Sequence, residues 1–143
     1  MSIEANKTLV RRGWEKIWNK GDLSIADEHY APNYILHMPG NPDMHGPAGH
    51  SQVVMMYRTA FPDLHFTIED QIADGDKVVN WVTARGTHQG ELMGIPPTGK
   101  QMAVTGITID RVAGGKLVES WATWDFLGLM QQLGVIPAPG EGG

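Results

Sequence analysis

The sequence predicts an α+β domain in which N-terminal helices pack on a curved antiparallel sheet that can enclose a pocket. Three observations predict it. Apolar residues recur at helical spacing up to about Phe61 and near the C-terminus, and alternate from Phe66 to Trp124. The helical segments are largely segregated from the alternating ones, a segregation that specifies helices covering one face of a sheet. Asp74-Gly75 and Ala113-Gly114-Gly115-Lys116 are turn signals between alternating runs.

The elements follow in order. Val10, Trp14, Ile17 and Trp18 share one helical face, and Gly21 ends that helix. A shorter helix spans about Asp22 to His29, capped by Asp22 or Ser24 and stopped by Pro32. Tyr34 to His37 reads as a short strand before the loop Met38 to Gly46, and Pro47 suits the first turn of a helix that reaches Phe61. Phe66, Ile68 and Ile72 then read as one face of a strand, followed by strands over Val78–Arg85, Met102–Val112 and Leu117–Trp124. Phe126, Leu129, Met130 and Leu133 form the apolar stripe of a last helix, with Asp125 as N-cap and Gly134 behind it.

A chain of 143 residues is the size of a single domain, 1–143, with Pro137 to Gly143 expected to be a loose tail. No apolar run approaches the roughly 20 residues that cross a bilayer, and Met1-Ser2-Ile3-Glu4 lacks the features of a signal peptide, so membrane association is not expected and the cytoplasm is the default location. The absence of cysteine removes disulfides, thiolate nucleophiles and sulfur ligands. A net charge of -5 with no cluster of Lys and Arg argues against nucleic acid. Six histidines are present without a His-x-His or His-Glu-x-x-His pair, so no metal site is expected, and no Gly-x-Ser-x-Gly elbow marks a hydrolase.

Gly86 to Lys100 is punctuated more regularly than an ordinary loop, by Gly86, Gly90, Gly94 and Gly99 and by Pro96-Pro97, which fix φ and withhold donors. It joins two strands by a longer route than a hairpin requires, as functional connections do. The pattern Gly86-x-His88-x-Gly90-x-Leu92-x-Gly94-x-Pro96-Pro97-Thr98 resembles that of the SnoaL-like polyketide (ester) cyclases, and Asp125-Phe126-x-Gly128-x-x-x-Gln132-Leu133-Gly134 is similar to a second family pattern in the matching place. The resemblance covers nearly the whole chain. It implies a cone-shaped α+β barrel of the nuclear transport factor 2-like superfamily, a pocket open at the wide end, and a homodimer or homotetramer. It also implies chemistry without metal or organic cofactor: intramolecular aldol ring closure of a hydrophobic, carbonyl-bearing small molecule. In such cyclases an aspartate on the last long strand takes the acidic proton. Aligning the two patterns puts that aspartate at Ala122 and the family's pocket histidine at Thr108, both departures from the pattern. The superfamily further holds isomerases, hydratases, epoxide hydrolases, hydroxylases and non-catalytic binding modules, which are the alternatives.

Asp125 and His37 are therefore the candidate catalytic residues. Asp125 lies between Trp124 and Phe126, whose apolar surroundings would raise a carboxyl pKa as a general base needs, although a helix N-cap explains it equally. His37 precedes the Met38–Gly46 loop, where it could orient a water or polarise a carbonyl. His29, His45, His50 and His65 read as solvated. Expected substrate contacts are His88 and Met93 in the motif, Thr108, and Ala122 and Trp124, which share a strand face with Ser120. Arg85 completes the set; it could pair with Glu119 or Asp125, as the Asp and Arg groups of superfamily epoxide hydrolases do, or form an ordinary cross-strand bridge. Most of the tryptophans and methionines are expected in the core.

Overall fold

The computed structural model describes residues 2–137 and 140, so most of the tail expected to be loose lies outside the described residues. The chain runs α1 (Ile3–Gly13), a π-helical turn (Trp14–Asn19), a 3-10 turn (Leu23–Ile25), α2 (Ala26–His29), β1 (Tyr30–His37), β2 (Met44–His45) and α3 (Gly46–Ala60). There follow β3 (His65–Asp74), β4 (Lys77–Thr87), β5 (Gln101–Ala113), β6 (Lys116–Trp124) and α4 (Phe126–Gln132). One six-stranded sheet, ordered β2-β1-β6-β5-β4-β3, curls over the helices without closing. Its β1–β6 pair is parallel, which corrects the wholly antiparallel expectation. A parallel pair needs a long crossover, and here α3 lies on the path between the two strands.

Sequence dictates most of these boundaries. Ser2 caps α1 by accepting from the Ala5 N–H, and Pro47 occupies the first turn of α3. The second helix is shorter than expected and β1 begins at Tyr30, not Tyr34. Pro32 is tolerated in that strand because the β1–β6 register is irregular between Tyr30 and Ile35, where no ladder bond is lost. Asp125 Oδ1 accepts from the Gly128 N–H at 2.8 Å and so caps α4, which Gly134 follows at φ +80°. Gln132 then bonds to both backbone groups of Ala103, pinning α4 to β5.

In β3 a departure from simple alternation changes which residues face the core. The β3–β4 register shifts between Ile68 and Asp70, a bulge at Glu69 that reverses the faces beyond it. Phe66 remains in the core, but Ile72 turns outward and is 62% exposed, while Gln71 turns toward Asn80. The outer face also carries Trp81, Ile107 and Trp121, and Met55, Met56 and Met93 are exposed as well, so fewer of the large residues are core than expected.

The Gly86–Lys100 segment is strapped to the end of α3. Gln89 and Gly90 N–H groups both donate to the Ala60 carbonyl, one of the carbonyls a helix end leaves unpaired. A Cβ at Gly90 would lie 2.2 Å from the Thr59 carbonyl oxygen. Gly90→Ala is therefore expected to cost about 2 kcal/mol or more through forced backbone movement. In a thermal melt followed by circular dichroism, that is a fall of about 5 °C or more; an unchanged melting temperature would show that the strap is not structural.

Candidate active site

Alternation along β5 and β6 aims one row of side chains into the concave side of the sheet. On β5 the buried row is Met102, Val104, Gly106, Thr108, Asp110 and Val112. On β6 it includes Ser120 and Ala122, register partners of Asp110 and Thr108 respectively. Together with α1, α3 and α4 these strands enclose about 930 Å³ of atom-free space, its mouth included. Walls of Trp14, Tyr57, Phe66, Val104, Trp124 and Leu129 make it largely apolar. Room for the Trp124 indole comes from its register partner Gly106, where a Cβ would lie 2.3 Å from the ring.

Among the described residues Asp110 is the one carboxylate deep in this cavity; it is 6% exposed. Ser120 Oγ donates to its Oδ1 at 2.5 Å and Asn80 Nδ2 to its Oδ2 at 2.9 Å. Burial pushes its pKa up to about 6, outweighing both hydrogen bonds, which favour the charged form. Asn80 is fully buried and fully used: its Nδ2 also donates to Thr108 Oγ1, and its Oδ1 accepts from Gln71 Nε2. Because the β3 bulge turned Gln71 inward, the amide of Asn80 can point its donor at Asp110 and at no other orientation satisfy all three partners.

The polar wall continues onto β1 and the helices. Tyr34 stands beside the Ser120 hydroxyl, and burial holds its phenol far above its ordinary pKa. Its ring packs 4.6 Å from that of Tyr30, whose hydroxyl lies 3.0 Å from His50 Nε2. His29 stacks edge-on against Tyr30 at 4.8 Å and fits tightly over Gly13, where a Cβ would lie 2.4 Å from Nε2. Both histidines are buried, contrary to the solvated reading, and burial pushes His29 down to about 4 and His50 to about 3.

The structure brings together Asp125, Trp124, Ala122 and Thr108 at the cavity and leaves the other expected residues outside its lining. Asp125 is at the rim, engaged as the α4 cap. His37 does not reach the cavity, because alternation turns it to the outer face, where it stacks on Trp121 at 5.6 Å and bonds Glu119 and Asp43. Those two carboxylates, Glu119 foremost, raise its pKa. His88 is buried against Phe61; Thr98 N–H donates to its Nδ1, so it packs the motif loop. Met93 and Arg85 are exposed, and Glu119 pairs with Arg111 in place of Arg85. Asp110, Asn80, Ser120, Tyr30, Tyr34 and His50 were not expected. Period-two spacing from Thr108 would have found Asp110, and helical spacing from Val53 and Val54 would have found His50.

The SnoaL-like polyketide cyclase profile matches residues 8–133. The chain is 29% identical over 119 residues to the nogalonic acid methyl ester cyclase of Streptomyces nogalater, covering 82% of this chain and 89% of that protein. In fold it is similar to a SnoaL-like protein from Jannaschia, with a TM-score of 0.87 and 24% identity over 96% of this chain and 97% of the other. AclR of Streptomyces galilaeus, which carries a hydroxylase description, superimposes with a TM-score of 0.85 and 30% identity over 96% of this chain and 85% of its own. With these matches spanning the helices, the sheet and the cavity alike, the chain belongs to the SnoaL-like polyketide cyclase family.

Proposed function

We propose that the chain performs cofactor-independent acid/base chemistry on a hydrophobic, carbonyl-bearing small molecule, by intramolecular aldol cyclisation or a related proton transfer. The observation that carries this reading is Asp110, a carboxylate buried in an apolar cavity with its pKa near 6. A carboxylate of that pKa is ionised at neutral pH yet far more basic than one in water, as a general base must be. Its proton comes from the carbon next to a carbonyl, and the electrons left behind form the enolate. The enolate carbon adds to a second carbonyl, and Asp110 returns the proton to the new alkoxide. Ala122 and Thr108 carry no ionisable group, and Asp110 stands on β5 one pleat from Thr108 and diagonal to Ala122 on the same face, so on this reading the base has moved from β6 to the neighbouring strand and is not lost. Its methyl ester cyclase relative supports the substrate class.

The test is incubation with aromatic polyketide esters that hold two carbonyls within ring-closing reach. Aldol closure leaves the mass unchanged and alters retention and absorbance. Gain of an oxygen or a water instead would favour the hydroxylase or hydratase reading, which the likeness to AclR supports. Binding without any product would make the chain a ligand-binding module.

We also read the outer sheet face as the contact with a second copy. Trp81 and Ile107 are register partners there, 51% and 50% exposed, with Ile72 and Trp121 on the same face. Apolar side chains gathered in this way mark an interaction surface, whereas scattered ones do not. Light scattering is expected to give a multiple of the 15.7 kDa chain mass, reduced to one chain by Ile107→Lys. A single-chain mass for the unaltered protein would remove the reading.

A further inference from the structure

Enolisation puts a negative charge on the carbonyl oxygen inside an apolar cavity, and that charge needs a preorganised donor. No Lys or Arg lines the cavity among the described residues. The donors beside Asp110 are committed: Ser120 Oγ donates to it, and both N–H groups of Asn80 are used. Among the described residues two buried imidazoles of the wall lack a partner on a ring nitrogen: His29, whose Nε2 is packed over Gly13, and His50, whose Nε2 is held by Tyr30. His50 sits in the cavity wall, 5% exposed, and its Nδ1 has no partner.

The proton on His50 can be assigned from its neighbour. Among the described residues Tyr30 Oη has a single hydrogen-bond partner, His50 Nε2 at 3.0 Å. A buried phenol hydroxyl that failed to donate would be left unsatisfied, and a phenol is a better donor than an imidazole N–H. Tyr30 therefore donates, Nε2 accepts, and the ring carries its proton on Nδ1. The ring is clamped in place by Tyr30 at 4.2 Å, by Trp18 edge-on at 5.6 Å and by Tyr34 at 5.8 Å. Asp110, Ser120, Tyr34 and His50 follow one another along the wall across β5, β6, β1 and α3, the last pair meeting ring to ring.

We infer that His50 Nδ1–H is the donor that holds the substrate's enolate oxygen, as a neutral imidazole whose tautomer is set by Tyr30. This rests on Asp110 as the base. Charge neutrality matters to the pair: an imidazolium in the same cavity would stabilise the Asp110 carboxylate and make it a weaker base, whereas a neutral N–H stabilises the oxyanion without that loss. No proton leaves His50 in the cycle. Asp110 alone carries the proton from carbon to oxygen, and His50 lends and withdraws a hydrogen bond.

The test uses α-tetralone, a bicyclic ketone that can only accept hydrogen bonds, and tetralin, which lacks the carbonyl. The unaltered protein is expected to bind the ketone roughly tenfold more tightly than the hydrocarbon, the worth of one bond to a buried donor. Its carbonyl stretch should move to lower frequency on binding, and imidazole nitrogen NMR should show His50 as the Nδ1–H tautomer, shifting on ketone binding. His50→Phe fills the same space and should abolish the ketone preference and the carbonyl shift while keeping tetralin. Tyr30→Phe, which spares His50, should weaken both by releasing the tautomer. Exchange of the ketone's α-hydrogens in heavy water separates this inference from the one beneath it. Loss of exchange in Asp110→Asn with the ketone preference retained supports both assignments. Undiminished exchange in Asp110→Asn overturns the base, and with it the enolate role of His50, even if ketone recognition survives. An Nε2–H tautomer, failure of the unaltered protein to prefer the ketone, or a preference intact in His50→Phe overturns His50 and leaves Asp110 standing.

Discussion

Asp110→Asn is expected to remove turnover while making the protein harder to unfold at neutral and alkaline pH. General-base removal costs on the order of a hundred- to ten-thousand-fold in rate. The gain in stability comes from the same burial that raises the carboxyl pKa. The carboxyl pKa is raised from 3.8 to about 6 on folding, so between those values the unfolded chain ionises first and stability falls as pH rises. Above pH 6 the full cost applies, about 3 kcal/mol for a shift of about two units. Asn never ionises and escapes it, keeping an acceptor for Asn80 or Ser120. Urea unfolding at pH 8 should show a gain of about 1–3 kcal/mol, allowing for an imperfectly paired amide. In the unaltered protein, on the proposed chemistry, kcat/KM should rise with pH through about 6 and then level, a limb the variant lacks. Full activity in Asp110→Asn, with loss in Asp125→Asn, would return the base to the rim carboxylate.

The second large effect is unfolding in mild acid. His29 and His50 are depressed from 6.5 to about 4 and about 3 by burial. A base depressed on folding contributes stability that is present above its unfolded pKa and is lost as pH falls. Here the window runs from about 6.5 down to about 4 for His29 and about 3 for His50. Taken together the two shifts amount to roughly 8 kcal/mol, against roughly 3 kcal/mol regained as Asp110 protonates. The histidines win, and the net loss is comparable with the whole stability of a typical domain. Circular dichroism should therefore show cooperative unfolding as the pH is lowered from about 6 toward 3, with stability falling by about 1.4 kcal/mol per pH unit, the unfolded chain taking up two protons on its histidines against one taken up by Asp110 in the folded chain. His50→Phe should nearly abolish that slope between about pH 4 and 6, because His29 and Asp110 then offset each other. Stability that is level from pH 7 to about 4.5 would mean that one or both rings reach solvent.

Local chemistry made much of the fold readable. Asp125 and Gly134 bound α4 as their capping preferences require, Pro47 starts α3, and Asp74-Gly75 turns β3 into β4. The Glu69 bulge was not readable, because Phe66, Ile68 and Ile72 keep one parity in sequence, interrupted only by Asp70, while the backbone does not. That one inserted residue moved Ile72 out and Gln71 in, and with Gln71 the orientation of Asn80. Thr108, Ala122 and Trp124 were placed in the cavity by the family pattern. Asp110 lay one step further along the same alternation, in a strand position where Asp is disfavoured. His29 and His50 were hidden for another reason. Nothing in the sequence around His50 reveals that Tyr30 and Tyr34 of the earlier strand β1 close over it, or around His29 that its ring folds over Gly13; only the packing of the helices and β1 does so.

The division of tryptophans between the two faces of the sheet has an optical consequence. Trp14, Trp18 and Trp124 line the cavity, and Trp81 and Trp121 stand on the outside. Indole emission shifts to the red in water, so this chain carries two spectrally distinct populations. The blue component belongs to the chamber and reports its filling; the red one belongs to the outer wall and reports what comes to rest against it.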